Sequence, residues 1–170
     1  MDILAHMLWA NYGARVGNKK LEKKKKPLIS LVWVTFWGVF PDLFAFGIPM
    51  VLTIPNFIKN GFSMGRPEMF GLPANLYQYS HSIVIWAVVF CIMWIIFKRP
   101  RLALLGWALH ILIDIPSHSA TFYPTPFLFP ISEYRFVDGI SWANPWYMII
   151  NYSLLLIVTL YFFLNKKKAD

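Results

Sequence analysis

Six side chains that can bind a metal ion lie in or against apolar stretches of this chain. Three follow the spacing His110-x-x-x-Asp114-x-x-x-His118, which puts His110 and Asp114 on one face of a helix. Burying an imidazole or a carboxylate in hydrocarbon is costly unless the group is paired or bound. Imidazole nitrogens and carboxylate oxygens together suit a divalent ion, zinc first and manganese as an alternative. The sequence predicts a metal site formed by His6, Asp42, His81, His110, Asp114 and His118.

The composition is that of an integral membrane protein. Hydrophobic residues make up 58% of the chain and charged residues 14%, and the mean hydropathy is +0.52, which is outside the usual range of soluble domains. The 170 residues suit one domain, residues 1–170, with length for four or five spans. We therefore expect an all-α, polytopic membrane bundle of four to five spanning helices.

Apolar runs predict where these helices lie. Three runs are long enough for a bilayer core of about 30 Å, which needs about 20 helical residues. They are residues 28–54, 82–97 with its flanks, and 146–164. A fourth run, 102–115, is shorter. An amphipathic segment, 2–16, is predicted to be a helix that ends at Gly17 and Asn18.

The basic residues predict how the bundle is oriented. Thirteen of the sixteen Lys and Arg residues flank the apolar runs on one side, within residues 15–26, 98–101 and 166–168. The other three are Lys59, Arg66 and Arg135. The positive-inside rule then places the Pro- and Gly-rich loops, 55–79 and 119–145, outside and the C-terminus in the cytoplasm. This clustering makes the net charge of +8 a sign of membrane anchoring, and no nucleic-acid partner is expected.

Each candidate ligand also has an explanation that needs no metal. Asp42 follows Pro41 and could satisfy the backbone group that a proline frees in a helix. His110 and Asp114 could simply hydrogen-bond each other. His6 could lie at the membrane interface, His81 could cap a helix, and His118 could be exposed at a loop. A lipid-packed scaffold without metal requires all six to be satisfied locally.

Four segments together resemble the family of membrane-bound metal-dependent hydrolases, which includes LexA-regulated bacterial inner-membrane proteins. They are Ala5-His6-Met7-Leu8, Phe40-Pro41-Asp42-Leu43, Ser80-His81-Ser82 and Leu109-His110-Ile111-Leu112-Ile113-Asp114. Residues 127–136, Asp138 and Asn144-Pro145 resemble the family's second half, so the resemblance covers nearly the whole chain. Where the family carries a His-Arg pair before the histidine of its second helix, this chain has Leu76 and Tyr77. The spacing His110-x-x-x-Asp114 is also similar to the metal-binding helix of zinc-dependent phospholipase C.

The resemblance implies a bacterial inner-membrane, metal-dependent hydrolase. The depths of the candidate ligands converge on the outer half of the membrane, and a site there suits an amphiphile, so we expect it to act on a phosphoester or related bond of a lipid-like substrate. A bound divalent ion would lower the pKa of water toward about 7 and polarise the reacting oxygen. Asp42 or Asp114 could bridge two ions or orient the water, and Arg135 could bind a phosphate or carboxylate head group. Glu133 and Asp138 could act as general bases or be solvated loop charges.

A function of another class is also open. Ionisable residues within a membrane also mark ion pathways, so the chain could be a metal-binding transporter or an accessory protein without hydrolytic turnover. A hydrolase should keep an open coordination position, a transporter should be accessible from both faces, and a structural site should be closed by four protein ligands.

Overall fold

The computed structural model describes residues 1–60, 68–120 and 123–166, and these residues form helices without β-strands. The helices are α1 (Ile3–Lys23), α2 (Leu31–Asp42), α3 (Ile48–Asn60), α4 (Glu68–Ser80), α5 (Ile83–Phe97), α6 (Leu105–Ser117) and α7 (Pro145–Lys166). A π-helical turn, Leu43–Gly47, joins α2 to α3, and a 3-10 turn, Leu102–Leu104, precedes α6. The predicted all-α class is therefore confirmed.

Two segments are long and apolar enough to cross a membrane, namely Leu31–Leu52 and Pro145–Asn165. A third results if Leu72–Ser80 and Ile83–Phe97, which meet at 58°, are counted as one broken span. Two or three spans are fewer than the four to five that the sequence predicted. The difference has two causes: Leu102–Ser117 is shorter than a usual span, and α1 has the length but carries many polar residues.

Helix α1 is longer than predicted. It was expected to end at Gly17 and Asn18, but it continues to Lys23. The Asn18 amide donates to Ile29 O at 2.9 Å, and its side-chain oxygen accepts from Ile29 N at 2.7 Å. Both bonds use the side chain of Asn18, so the backbone of α1 is free to continue as a helix. They hold the segment before α2 against α1.

The first predicted loop, 55–79, is largely helical. Helix α3 runs through Pro55 to Asn60, and α4 begins at Glu68 and runs through Pro73. The proline-rich composition was therefore misleading, since α3 and α4 each accommodate a proline of the predicted loop. Arg66 lies outside the described residues. The second predicted loop is confirmed within residues 123–144, which contain no helix.

Small residues let α1, α2 and α6 pack at backbone distance. A Cβ atom placed on Gly106 of α6 would lie 2.2 Å from Val34 O of α2. One placed on Gly38 of α2 would lie 2.6 Å from the Ala10 Cβ of α1. Such close contacts are typical of helices that associate inside membranes. They bring the polar residues of these three helices together.

Helices α1 and α7 run parallel. The hydroxyl of Tyr152, early in α7, donates to Asp2 at 2.8 Å, beside the start of α1. Near the other end, Lys19 Nζ lies 3.5 Å from the Tyr161 hydroxyl. The basic end of α1 and the C-terminal end of α7 therefore lie together, as the sequence predicted. Which side of the membrane they face stays a prediction.

Candidate metal centre

Helix α6 supplies the centre of the polar cluster. His110 and Asp114 lie one turn apart on its buried face, and both side chains are almost fully buried. His110 Nε2 lies 3.1 Å from Asp114 Oδ2. The two carboxylate oxygens of Asp114 face different groups of side chains, so this residue divides the cluster into two sides.

Asp42 reaches the cluster from the irregular part of the first span. It ends α2 immediately after Pro41 and precedes the π-helical turn. Such turns are frequent at functional sites because they redirect side chains that a regular helix would spread around its axis. Asp42 Oδ1 lies 3.5 Å from His81 Nε2 and 3.7 Å from His110 Nε2. Its side chain is 13% exposed, against 1% for Asp114.

His81 lies at the break between α4 and α5. The backbone there stays satisfied: Ile83 N donates to Phe127 O at 3.0 Å, and the Ser82 hydroxyl bonds Phe129 O. Broken helices are tolerated at membrane depth when protein groups satisfy the freed backbone in this way. The loop after α6 thus holds open the break that carries His81.

Four donors have the spacing of ligands around a single ion. Asp42, His81, His110 and Asp114, here called the four-donor set, place one ligand atom each within 4.8 Å of one another. Five of the six distances between these ligand atoms are 3.0, 3.1, 3.5, 3.5 and 3.7 Å. A tetrahedral ion with bonds of about 2.1 Å needs ligand separations of about 3.4 Å. The set can therefore hold a metal ion.

Hydrogen bonds orient both histidines of the four-donor set. His110 Nδ1 lies 2.7 Å from Gly38 O, and a carbonyl only accepts, so Nδ1 carries the proton and Nε2 presents its lone pair. His81 Nδ1 lies 2.9 Å from Ser80 Oγ. The two Nε2 atoms face each other at 3.0 Å. A second hydrogen bond of this kind fixes ring orientation and tautomer in metal-ligating histidines.

The other side of Asp114 is arranged differently. His6 Nε2 and His118 Nε2 lie 3.0 and 3.5 Å from Asp114 Oδ1. The amine of Met1 also contacts this oxygen and lies 3.2 Å from His118 Nε2. His6 is buried and stacks on His110 at 3.6 Å, yet the Nε2 contact with Asp114 lacks hydrogen-bond geometry, and Nδ1 has no hydrogen bond within the described chain. All six predicted residues thus lie in one cluster, but His6 and His118 are outside the four-donor set.

Tyr77 is a member of the cluster that the sequence analysis did not identify. Its ring stacks on His81 at 3.7 Å, and its hydroxyl lies 3.4 Å from His118 Nδ1 and donates to Tyr123 O at 3.1 Å. Its position four residues before His81, one helical turn away, was the available signal. Tyr77 therefore links the two sides of the cluster.

The predicted loop residues are not bonded to the four-donor set. Arg135 is half-buried. Glu133 and Asp138 are exposed. Among the described residues, no hydrogen bond or ion pair joins these three to the cluster.

Comparison with protein-family models, curated proteins and solved structures finds no match for this chain. The family resemblance of the sequence therefore stays a prediction, and the chemistry of the site has to be argued from its own geometry. That geometry is a buried pair of carboxylates and a pair of pre-oriented imidazoles, a donor set suited to a divalent cation.

Proposed function

We propose that the four-donor set binds a divalent metal ion, zinc in the first instance. The observation that carries this proposal is the agreement of five donor separations with those around a tetrahedral ion. Charge supports it as well. Two carboxylates held within 4.8 Å of each other balance a 2+ ion, which removes the cost of burying like charges.

We further propose that the protein is a membrane-embedded hydrolase acting on a phosphoester or related bond of a lipid-like substrate. Because four protein ligands complete a tetrahedral zinc site, hydrolysis requires the ion to expand to five ligands and take a water on the side of the partly exposed Asp42. There the ion would supply Lewis acidity and an activated water when bound. Asp114 and Asp42 hold the ion, and the partial exposure of Asp42 marks the side from which substrate can approach. Arg135, half-buried in the loop after α6, is suited to bind a phosphate or carboxylate head group.

The proposal includes a membrane arrangement with four to five spans. Helix α1 packs against α2, α6 and α7, all of which are apolar or part of candidate spans. Its 21 residues extend about 31 Å, long enough to cross beside them. Segment Leu102–Ser117 would cross with the help of its neighbours. The cation asymmetry favours outside loops and a cytoplasmic C-terminus. The family resemblance favours a bacterial inner membrane.

A turnover assay tests the enzymatic proposal. Detergent-purified protein loaded with zinc or manganese should release product from a panel of phospholipids in mixed micelles. Asp114→Asn should abolish turnover because an amide supplies less charge to the ion and orients water poorly. Glu22→Gln, a carboxyl-to-amide change at an exposed residue of α1, is the matched control. Bound metal without turnover on any substrate would favour a transporter or accessory protein instead.

A further inference from the structure

An apolar groove lies beside the cluster, where α6 faces α7. Its volume is about 490 Å³, and its walls are almost entirely hydrocarbon. Three wall residues are large, exposed apolar side chains on the outer margin: Leu112, Ile150 and Leu154. Since Ile150 and Leu154 belong to a segment long and apolar enough to span a membrane, this margin faces the lipid when the segment is inserted.

Asn151, a polar side chain in the groove wall, is already hydrogen-bonded. Its side-chain oxygen accepts a hydrogen bond from Trp9 Nε1 at 2.9 Å. This bond joins α7 to α1 and satisfies the amide oxygen of Asn151. The groove is therefore suited to a hydrocarbon occupant.

The inner part of the groove approaches Asp114. Pro116 and Tyr147 line the groove, and Ser117 directly follows Pro116 in α6. Ser117 Oγ donates to Asp114 Oδ1 at 3.4 Å. Because Pro116 of the groove wall adjoins this serine, an amphiphile could place its chain in the groove and its head near the cluster.

We propose that the groove binds one acyl chain of a bilayer phospholipid, which enters sideways between α6 and α7. At roughly 30 Å³ for a group the size of a water molecule, 490 Å³ holds about sixteen methylenes, the length of a common acyl chain. The identification of this lipid as the substrate rests on the proposed function. The binding of its chain does not, because it depends only on the shape and polarity of the groove.

Native mass spectrometry can test this binding directly. Detergent-solubilised protein mixed with palmitoyl-oleoyl phosphatidylglycerol should retain one lipid per chain. Leu154→Trp, which fills the groove, should lower retention at least about fivefold. Leu156→Trp is the matched control, since Leu156 is an exposed leucine of the same helix that does not line the groove. Leu112→Trp, from the opposite wall, repeats the test if Leu154→Trp does not fold.

The two proposals fail in different ways. Unchanged retention in a folded groove variant, no retained lipid in the unmodified protein, or an equal loss in Leu156→Trp would overturn the groove assignment. Metal content measured on the same samples should be equal in all variants, so a loss of lipid cannot be attributed to a damaged cluster. Groove-specific lipid binding without turnover would leave the groove assignment intact and contradict the hydrolase.

Discussion

The two oxygens of Asp114 have contrasting surroundings. Oδ2 faces His81 and His110, and both rings have their second nitrogen hydrogen-bonded, to Ser80 Oγ and Gly38 O respectively. Oδ1 faces His6, whose Nδ1 has no hydrogen bond within the described chain, and His118, whose Nδ1 lies 2.9 Å from Tyr123 O. One side of the carboxylate therefore has two pre-oriented histidines, and the other side has only one.

This contrast follows from the helices that supply each side. Two members of the four-donor set come from interruptions: Asp42 lies beside the π-helical turn, and His81 lies at the break between α4 and α5. The other two come from the regular helix α6. His6 and His118 come instead from the first turn of α1 and the C-terminal cap of α6. Irregular backbone inside a membrane must be satisfied by protein groups, and the same groups that satisfy it also fix the ligands. We infer that the Oδ2 side determines metal affinity.

The largest effect should come from changing the residue that both sides share. Asp114→Asn should lower metal affinity by at least about a hundredfold and remove turnover, because the amide lacks the charge that offsets the ion. Chelator competition would measure the affinity, and circular dichroism would check that the helices remain. If the Asp114→Asn protein keeps its metal, the central place of this residue is contradicted.

A pair of histidine variants compares the two sides directly. His81→Ala removes a member of the four-donor set and should weaken metal binding at least about a hundredfold, whereas His6→Ala should weaken it only about tenfold, as expected for a residue that supports a ligand from outside. Chelator competition on both proteins provides the measurement. Equal losses would mean that His6 is a ligand and that the two sides are not distinct.

Packing between the helices should affect stability rather than chemistry. Gly106→Ala would place a Cβ 2.2 Å from Val34 O, a backbone atom that cannot move aside alone, so a loss of about 3 kcal/mol is expected. In Gly13→Ala the new Cβ meets only the end of the Leu109 side chain, at 3.5 Å, and the change should be neutral or stabilising. Denaturation in detergent compares them. Similar stabilities would show that α2 and α6 do not pack this closely.

The smallest loss of metal affinity should come from removing the hydroxyl group that orients His81. Ser80→Ala removes the hydroxyl 2.9 Å from His81 Nδ1 and should reduce metal affinity about tenfold, with the fold preserved. Ser132→Ala, in the loop after α6, is the control. No change in affinity would show that the orientation of His81 comes from elsewhere, with stacking on Tyr77 as the remaining contact.

The predicted orientation can be tested independently of the metal. In a Cys91→Ser background, a membrane-impermeant thiol reagent applied to intact cells should label Glu133→Cys in the loop but not Lys26→Cys beyond α1. The reason is the asymmetric distribution of basic residues. Labelling of Lys26→Cys alone would reverse the orientation without affecting the internal geometry.

The sequence predicted the parts of the fold that depend on hydrophobicity. The apolar runs located α5 and α7 to within a residue or two, because a continuous apolar segment has no alternative structure in a membrane. Composition gave wrong helix and loop boundaries where tertiary contacts determine the structure. Asn18 was expected to end α1 but bonds Ile29, and the prolines expected to mark a loop lie inside α3 and α4.

The candidate site was predictable in membership but not in arrangement. Histidine and aspartate are so costly in apolar segments that their presence alone identified the six cluster residues. Their division between the two oxygens of Asp114 depends on the π-helical turn and the α4–α5 break, neither of which has a distinct sequence pattern. Tyr77 was missed because a tyrosine in a membrane segment usually needs no functional explanation.

Elemental analysis of the detergent-purified protein tests the central claim most directly. After exposure to zinc and removal of loose metal, the unmodified chain should retain at least one equivalent. His110→Ala should retain less than about a tenth of that, because it loses the donor whose lone pair is fixed by Gly38 O. X-ray absorption should show four nitrogen or oxygen ligands at about 2.0–2.1 Å. A folded protein that retains no more zinc than His110→Ala would contradict the metal centre.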